Sequence, residues 1–475
     1  MSPSVPDDAV PEPDQDVDLG TVAPVPSDHD AGRRQFFRLF GKQAIQTVTQ
    51  VAGVASAVAQ MPTNAAAGLM GLGLGDPRQN AAAMTAGAAA TRPAAVVTTA
   101  AAYRSPYRFD GQVLYLVDQR RLPDTLEEQT CRRGSDVAFY IRAAAARGGP
   151  LLAQLAAYGL AMTARESAER SAPQRAAELR RVTRAIAVSR GGARMLEWAL
   201  GHLNQVADAL GSDATGDAVA TALREAADTL ALEAQADHAR IAQEVAGLLP
   251  RPEGRPLHVL VHGDPGACTS GMLGTALNGL ALRAAEAEGA GVQVWVTETR
   301  PYLEGARLAT WELTNAGIEH TLLPDSAVAS LLDAESIDAV LLGAEWIAAN
   351  GDTANVIGSR AVAELAAGAL HGPVPVYVCT PMTTFDADTA DGAAIPHDVR
   401  PARELGTYLT GVRMDRQRGY NPGADVVPAR RITAFVTEMG VLSPTDHDAL
   451  HAAAHERAAR RVMPTAPVPV LTVVD

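Results

Sequence analysis

Cysteine is scarce in this chain: Cys131, Cys268 and Cys379 are widely separated, odd in number, and the only three among 475 residues. They form neither an even disulfide framework nor a paired zinc-ligand spacing, which excludes a disulfide-stapled secreted fold and fits a reducing cytoplasm. Aromatic residues are also few, at 4%, so the 47% apolar content rests on alanine, valine and leucine, and alanine in bulk favours helices. No apolar run reaches the roughly 18 to 20 residues that a membrane-spanning helix requires, so integral membrane functions are set aside. Basic residues are missing from residues 1–32, which hold eight acids (Asp7, Asp8, Glu12, Asp14, Asp16, Asp18, Asp28 and Asp30); they account for more than half of the net charge of −14. The remainder is mildly acidic and lacks the basic stripe that neutralises phosphates along a duplex, so nucleic acid is not an expected partner.

What is present falls into five stretches. Residues 1–32, with six prolines beside the acids, cannot bury enough apolar surface to offset chain entropy and read as a disordered acidic leader. Residues 33–102 begin with Arg33-Arg34-Gln35-Phe36-Phe37-Arg38-Leu39-Phe40, an amphipathic element suited to docking on the protein or a partner, and continue into an Ala/Gly-rich linker. The paired arginines before phenylalanine also resemble a twin-arginine export signal. Against that reading, Gln43, Gln46, Thr47, Thr49 and Gln50 interrupt the apolar stretch and an acidic leader precedes it. Residues 103–250 read as a small hairpin at Tyr107 to Asp118, turning at Phe109-Asp110-Gly111, followed by helices. Their apolar positions recur at helical spacing in Leu151 to Met162, Leu179 to Val188, Met195 to Leu210 and Ala218 to Leu249.

From residue 251 to 445 the period changes. Short β-rich runs (Leu257 to His262, Val292 to Glu298, His320 to Pro324, Ala339 to Gly343, Val374 to Thr380) alternate with helical stretches at 271–287, 304–316 and 355–370. This pattern predicts an α/β fold: a helical N-terminal domain followed by a doubly wound, mainly parallel sheet, with residues 446–475 as a C-terminal helix end and tail. Such sheets bind ligands beyond the carboxyl ends of their strands. There the sequence offers His262-Gly263-Asp264-Pro265-Gly266-Ala267-Cys268-Thr269-Ser270-Gly271 and other turns rich in glycine or small hydroxyls. Free N–H groups at helix starts would favour an anion, and a phosphorylated ligand follows; turns that merely connect strand to helix explain the same glycines. Asp264, Glu298, Glu345 and Asp352 are candidates for acid-base work if burial raises their pKa, and equally for helix caps or ion pairs. Cys268, near a helix start, is placed for a lowered thiol pKa, or else is a small buried hydrophobe.

Several segments carry a resemblance. Leu116 to Pro123, Arg147-Gly148-Gly149-Pro150, Glu298-Thr299-Arg300-Pro301-Tyr302-Leu303-Glu304-Gly305-Ala306-Arg307-Leu308, Gly343-Ala344-Glu345-Trp346-Ile347-Ala348-Ala349-Asn350-Gly351-Asp352 and Asn421-Pro422 to Pro428 closely resemble the methylthioribose-1-phosphate isomerase family. The wider family includes ribose-1,5-bisphosphate isomerase and the regulatory subunits of translation initiation factor 2B. The resemblance runs in one order from about Tyr103 to Val441. It implies a Rossmann-like second domain, a homodimer, a role in methionine salvage and an aldose 1-phosphate opened to a ketose 1-phosphate with neither cofactor nor metal. It further implies that Arg147 and Arg190 hold the phosphate, with Gly148 beside them and Glu304 and Asn355 in the substrate pocket.

Four pocket positions depart from the isomerases: Gly263 stands for their catalytic Cys, Glu345 for their catalytic Asp, Glu304 for a Gln and Val356 for a Lys. The expected function is therefore an isomerase-like protein with a rearranged site, Glu345 acting as acid-base group with Cys268 or Asp264 replacing the thiol. The alternative is a catalytically inactive protein that binds a sugar phosphate or nucleotide for regulation or assembly.

Overall fold

The structure, a computed structural model, describes residues 105–286, 291–396, 399–408 and 418–462. The acidic leader, the Arg-Arg-Phe-Phe element with its linker, and the tail beyond 462 lie outside the described residues.

The hairpin is present and gains a strand that alternation does not reveal. Strands β1 (Tyr107–Phe109), β2 (Leu114–Val117) and β3 (Glu128–Cys131) form an antiparallel sheet. Asp110 makes its turn, its carboxylate accepting the N–H groups of Gln112 and Val113 at 2.8 and 2.7 Å. Five helices follow: α1 (Gly134–Arg142), α2 (Gly149–Glu166), α3 (Ala172–Ala187), α4 (Arg194–Ala209) and α5 (Gly216–Leu248). Helix α2 is apolar on every side, and every residue except its last two is buried, the mark of a central helix rather than a surface one. Its alanines and leucines are the centre of the first core, with the hairpin and the other four helices around it. Polar punctuation ends each helix where the sequence places it: Ser171 and Gln174 form a capping box at α3, and Thr215 Oγ1 caps α5 by accepting the Ala218 N–H at 3.2 Å.

The second domain holds a seven-stranded sheet built from β4 (Leu257–Val261), β5 (Val292–Thr297), β6 (His320–Leu323), β7 (Ala339–Leu342), β10 (Val376–Cys379), β13 (Ala434–Thr437) and β14 (Gly440–Leu442). Its order is β14-β13-β10-β7-β4-β5-β6, parallel throughout except for the β13–β14 hairpin at one edge. The predicted strands match these within two residues at each end. Helices α6 (Ala267–Ser270), α7 (Ala276–Glu286), α8 (Thr310–Ala316), α9 (Val328–Ala334), α10 (Ser359–Ala367) and α11 (His447–Val462) accompany the sheet. A π-helical turn, Gly305–Ala309, precedes α8. Two apolar cores lie on the sheet: one gathers α9, α10 and α11, the other α7 and the C-terminal end of α5. Successive strands run outward from β4 in one direction and from β7 in the other, so the switch point lies between β4 and β7, where such sheets open a crevice. A small sheet, β11-β8-β9-β12, covers the region just beyond β7: β8 (Trp346–Ala348), β9 (Thr353–Asn355), β11 (Phe385–Asp386) and β12 (Asp425–Val427).

A buried charge cluster joins the long helix α5 to the C-terminal helix α11. Arg457 Nη2 donates to Asp237 at 2.6 Å and to Glu233 at 3.2 Å, and its Nε donates to Glu438 at 3.1 Å. Glu438 also accepts the Met382 N–H. Three carboxylates thus share one guanidinium, and burial, with Asp237 beside it, pushes the Glu438 carboxyl up to about 7. Because its folded pKa is raised, the stability this group contributes is fully present below its unfolded value near 4.5 and is lost as pH rises through about 7. The loss is on the order of 3 kcal/mol. We expect urea unfolding between pH 5 and 8 to show falling stability for the native chain and a much flatter profile for Glu438→Gln. An equally steep profile in the variant would remove Glu438 as the cause.

Candidate active site

The crevice at the switch point is a small cleft, partly open to solvent, at the carboxyl ends of β4, β7 and β10. The Gly148–Pro150 turn of the helical domain closes its other side. Two glycines make this approach possible. Gly148 has φ +100°, and a Cβ there would meet the Thr269 carbonyl oxygen at 2.2 Å and Thr269 Cβ at 2.4 Å. Gly263, with φ +82°, lets the chain turn as it leaves β4; a Cβ would lie 3.1 Å from Val356 Cγ2. A Gly148→Ala variant combines a left-handed backbone penalty of about 1 to 2 kcal/mol with overpacking of about 1 to 3 kcal/mol. Its denaturant midpoint should fall accordingly and ligand binding with it; an unchanged midpoint would mean that the two loops are not in close contact.

Behind Gly263, His262 is fully buried, its Nδ1 2.7 Å from Thr297 Oγ1 and its Nε2 2.9 Å from the Ile357 carbonyl. The carbonyl can only accept, so Nε2 carries the proton and Nδ1 accepts from the threonine. Burial lowers the imidazole pKa and keeps it neutral. The ring is a structural strut linking β4, β5 and the start of α10.

The strand-end loops correct one expectation. Their N–H groups are largely taken by the protein's own carboxylates. Glu312 accepts from Ala267 at 2.8 Å and Cys268 at 2.5 Å, and Asp325 from Thr299 and Arg300 at 2.8 and 2.7 Å. Asp425 accepts from Gly358 at 2.8 Å, and Glu438 caps Met382. An incoming phosphate meets occupied donors there, and the helix that opens the β4 loop is only four residues long.

Cationic groups come instead from arginines. The chain's one lysine, Lys42, lies outside the described residues. Arg147, 7% exposed, forms a short buried ion pair with Glu304, and its guanidinium lies 3.8 Å from the centre of the Tyr302 ring. Its Nη1 has no hydrogen-bond partner. Burial, then the like charges of Arg147 and Arg400, lower the pKa of Arg190, while Glu345 and Glu304 oppose that shift. Arg400 itself pairs with Glu404 at 3.2 Å, and its N–H donates to the Asn421 carbonyl at 2.7 Å. The structure therefore brings together the two expected arginines and a third, Arg400, that the sequence reading missed; its nearest signal was the Asn421-Pro422 segment to which it is bonded.

The acids differ from one another. Glu304 is held below the usual carboxylate range: burial pulls its pKa up, and Arg147, Arg190 and Arg307 outweigh it. Glu345 has its pKa raised by burial, reinforced by Glu304 and opposed by Arg190, Arg147 and the Gly149 N–H. Asp264 lines the cleft at 7% exposure with neither carboxyl oxygen hydrogen-bonded, and burial together with Glu312 and Glu304 holds its pKa well above the usual value. Asn355 lines the cleft and donates to Ser359 Oγ at 3.0 Å, with Val356 beside it. Asp352 is structural, accepting the Ala429 and Gly392 N–H groups at 2.9 and 3.1 Å, and Glu298 is not among the cleft residues.

Cys268 departs from the sequence expectation in its ionisation. It is fully buried behind the cleft lining, and burial, then Glu312 and Asp264, push its thiol pKa well up rather than down. The helix start that would have stabilised a thiolate is already neutralised by Glu312. Asp264, Cys268 and Glu312 place one potential ligand atom each within 4.8 Å of one another. Glu312 spends both oxygens on backbone N–H groups.

A family model for the initiation factor 2 subunit family matches residues 145–444. The chain belongs to that family. Among curated relatives, methylthioribose-1-phosphate isomerase of Chloroflexus aurantiacus is 38% identical over 338 residues, covering 71% of this chain and 94% of the relative. The isomerase of the same name from Desulforudis audaxviator is 37% identical, covering 73% and 96%. Among solved structures, 5-methylthioribose 1-phosphate isomerase from Pyrococcus horikoshii OT3 aligns with a TM-score of 0.65 at 26% identity, over 74% of this chain and 96% of that one. The translation initiation factor eIF-2B subunit delta from A. fulgidus aligns at 0.61 and 28%, over 74% and 100%. The helical domain and Rossmann-like sheet are thus a family architecture, and among the described residues no helix is long and apolar enough to cross a membrane.

Proposed function

We propose that this chain is an aldose–ketose isomerase acting on a ribose 1-phosphate type sugar, S-methyl-5-thioribose 1-phosphate or a close relative, through a rearranged site. The observation that carries the reading is Glu345: a partly buried carboxyl with a raised pKa, facing the cleft beside Arg147 and Arg190, in a chain 38% identical to a named isomerase over most of its length. The substrate phosphate is held by Arg147 Nη1 and Arg190, whose planar forks suit phosphate oxygens. Protonated Glu345 gives its proton to the ring oxygen as the bond from C1 to that oxygen breaks. The C2 hydrogen passes with its electron pair to C1, and the C2 hydroxyl proton returns to the Glu345 carboxylate as the ketone forms. One carboxyl group thereby serves both proton steps, and product and substrate are isomers. Asp264, the other cleft acid with a raised pKa, is the second candidate for proton transfer. Cys268, buried behind the lining with its thiol protonated, supports that position rather than reacting.

A second reading has a specific observation behind it: the ion pair with Glu304 already occupies one edge of the Arg147 fork, as suits a protein that binds a sugar phosphate or nucleotide without turning it over. NMR of the purified chain with S-methyl-5-thioribose 1-phosphate and ribose 1-phosphate separates the two. Ketose signals with either sugar support isomerisation; their absence at high protein load, with binding seen by calorimetry, supports the regulatory reading. Subunit association is expected from the family resemblance and is checked by light scattering.

A further inference from the structure

Hydrogen-bond accounting in the cleft gives information about the ligand beyond its phosphate. Among the cleft-lining residues, Asp264 has neither carboxyl oxygen hydrogen-bonded. Asp264 is more than nine-tenths buried, so water reaches it only through the cleft. Buried groups of this kind are costly when nothing bonds to them, and a bound ligand is the available source of donors. The charge balance points the same way. Asp264, Glu304 and Glu345 line the cleft, whereas no cationic side chain does; Val356 is the side chain nearest Gly263, and the buried Arg147 pairs with Glu304. Glu304 and Glu345 are offset by Arg147 and Arg190, whereas the charged neighbours of Asp264 are the carboxylates Glu312 and Glu304.

We infer that the ligand is an amino-bearing sugar phosphate, its phosphate on Arg147 and Arg190 and a protonated amine against Asp264. The inference rests on the sugar-phosphate reading above and refines it to a zwitterionic substrate class. An ammonium group supplies three donors in a compact volume and the positive charge that a neutral hydroxyl lacks. It meets an Asp264 carboxyl whose ionisation is otherwise opposed by burial, Glu312 and Glu304.

The test is calorimetric titration of the full chain, in the presence of a chelator, with ribose 1-phosphate and its 2-amino-2-deoxy and 5-amino-5-deoxy analogues. The expected result is that at least one amino sugar binds about tenfold or more tightly than ribose 1-phosphate, and that Asp264→Asn reduces this preference to about twofold or less. Folding of the variant is checked by its denaturant midpoint, and Asp264→Glu, which keeps the carboxyl, should retain more of the preference than the amide. If ribose 1-phosphate binds and neither amine improves on it, the inference fails and the sugar-phosphate reading stands. If none of the three binds, the inference fails, and S-methyl-5-thioribose 1-phosphate titrated the same way decides the sugar-phosphate reading. A preference that survives Asp264→Asn would also overturn the inference, because the amine would then be recognised elsewhere.

Discussion

Glu345→Gln is expected to lower kcat for the aldose-to-ketose conversion by about 10²- to 10⁴-fold, the usual contribution of one acid-base group, or roughly 3 to 5 kcal/mol of barrier. The substitution keeps the size and the hydrogen-bonding ends of the side chain but can neither give nor take a proton. The protonated side chain that meets the substrate is neutral, as the amide is, so KM for a phosphorylated sugar should stay level. A kcat collapse without a KM rise is the signature of a group that acts on the reacting atoms rather than on binding. Glu345→Asp should retain more turnover than the amide, because the proton carrier survives with its reach shortened. The pH profile adds a further check. Since burial raises the Glu345 pKa, its acid form persists to higher pH than that of an ordinary carboxyl, and turnover should decline as pH rises through that raised value. Stopped-assay kinetics in which the amide variant turns over at the native rate would remove Glu345 from the chemistry.

The second large effect is expected at Arg147. Removing its side chain strands Glu304, only 4% exposed, without its main counter-charge. Breaking one side of a buried ion pair costs about 3 to 5 kcal/mol, so Arg147→Ala should show a sharply lower denaturant midpoint together with loss of sugar-phosphate binding. Stability and recognition can be separated by a cycle. Arg147→Ala combined with Glu304→Gln should recover much of the midpoint, because no unpaired charge is left behind, while binding stays lost. Recovery of binding in the double variant would show that the phosphate is held by other groups. Arg147→Lys should not substitute for the native residue: a point charge cannot both pair with Glu304 along one edge of a planar fork and present a second edge to the ligand.

Much of the framework was legible in the sequence, for definite reasons. The parallel strands β4, β5, β7 and β10 are continuous apolar runs because both faces are covered, and such runs stand out from their helical neighbours. Helix α2 was legible in its apolar stretch, though not as the fully enclosed centre of the first domain. The short strands β8, β9, β11 and β12 were missed because two or three residues carry no periodicity, and two of them follow turns read as site motifs. The π-helical turn at Gly305 was invisible because it has the same composition as an α-helix. At the site, Arg147, Gly148, Arg190, Glu304, Glu345 and Asn355 were named from sequence; the structure puts Gly148, Glu304, Glu345 and Asn355 in the lining of one cleft, with Arg147 and Arg190 next to its acids. Arg400 was missed because nothing in its local sequence marks it; only folding brings it to Arg147. The thiol of Cys268 was read with the wrong sign because a helix start looks favourable to an anion until the residue occupying it, Glu312, more than forty positions away, is in view.

The same internal caps determine which part of the protein can evolve new ligands. Because Glu312, Asp325, Asp425 and Glu438 satisfy the strand-end N–H groups, the sheet domain has largely given up the anion sensitivity its topology would otherwise confer. On the function proposed above, discrimination among phosphorylated compounds would rest on side chains, two of them, Arg147 and Arg190, carried by the helical domain, while the sheet would supply the proton carrier Glu345. Ligand choice and chemistry would then be encoded on different halves of the chain, so that substitutions could exchange one while preserving the other.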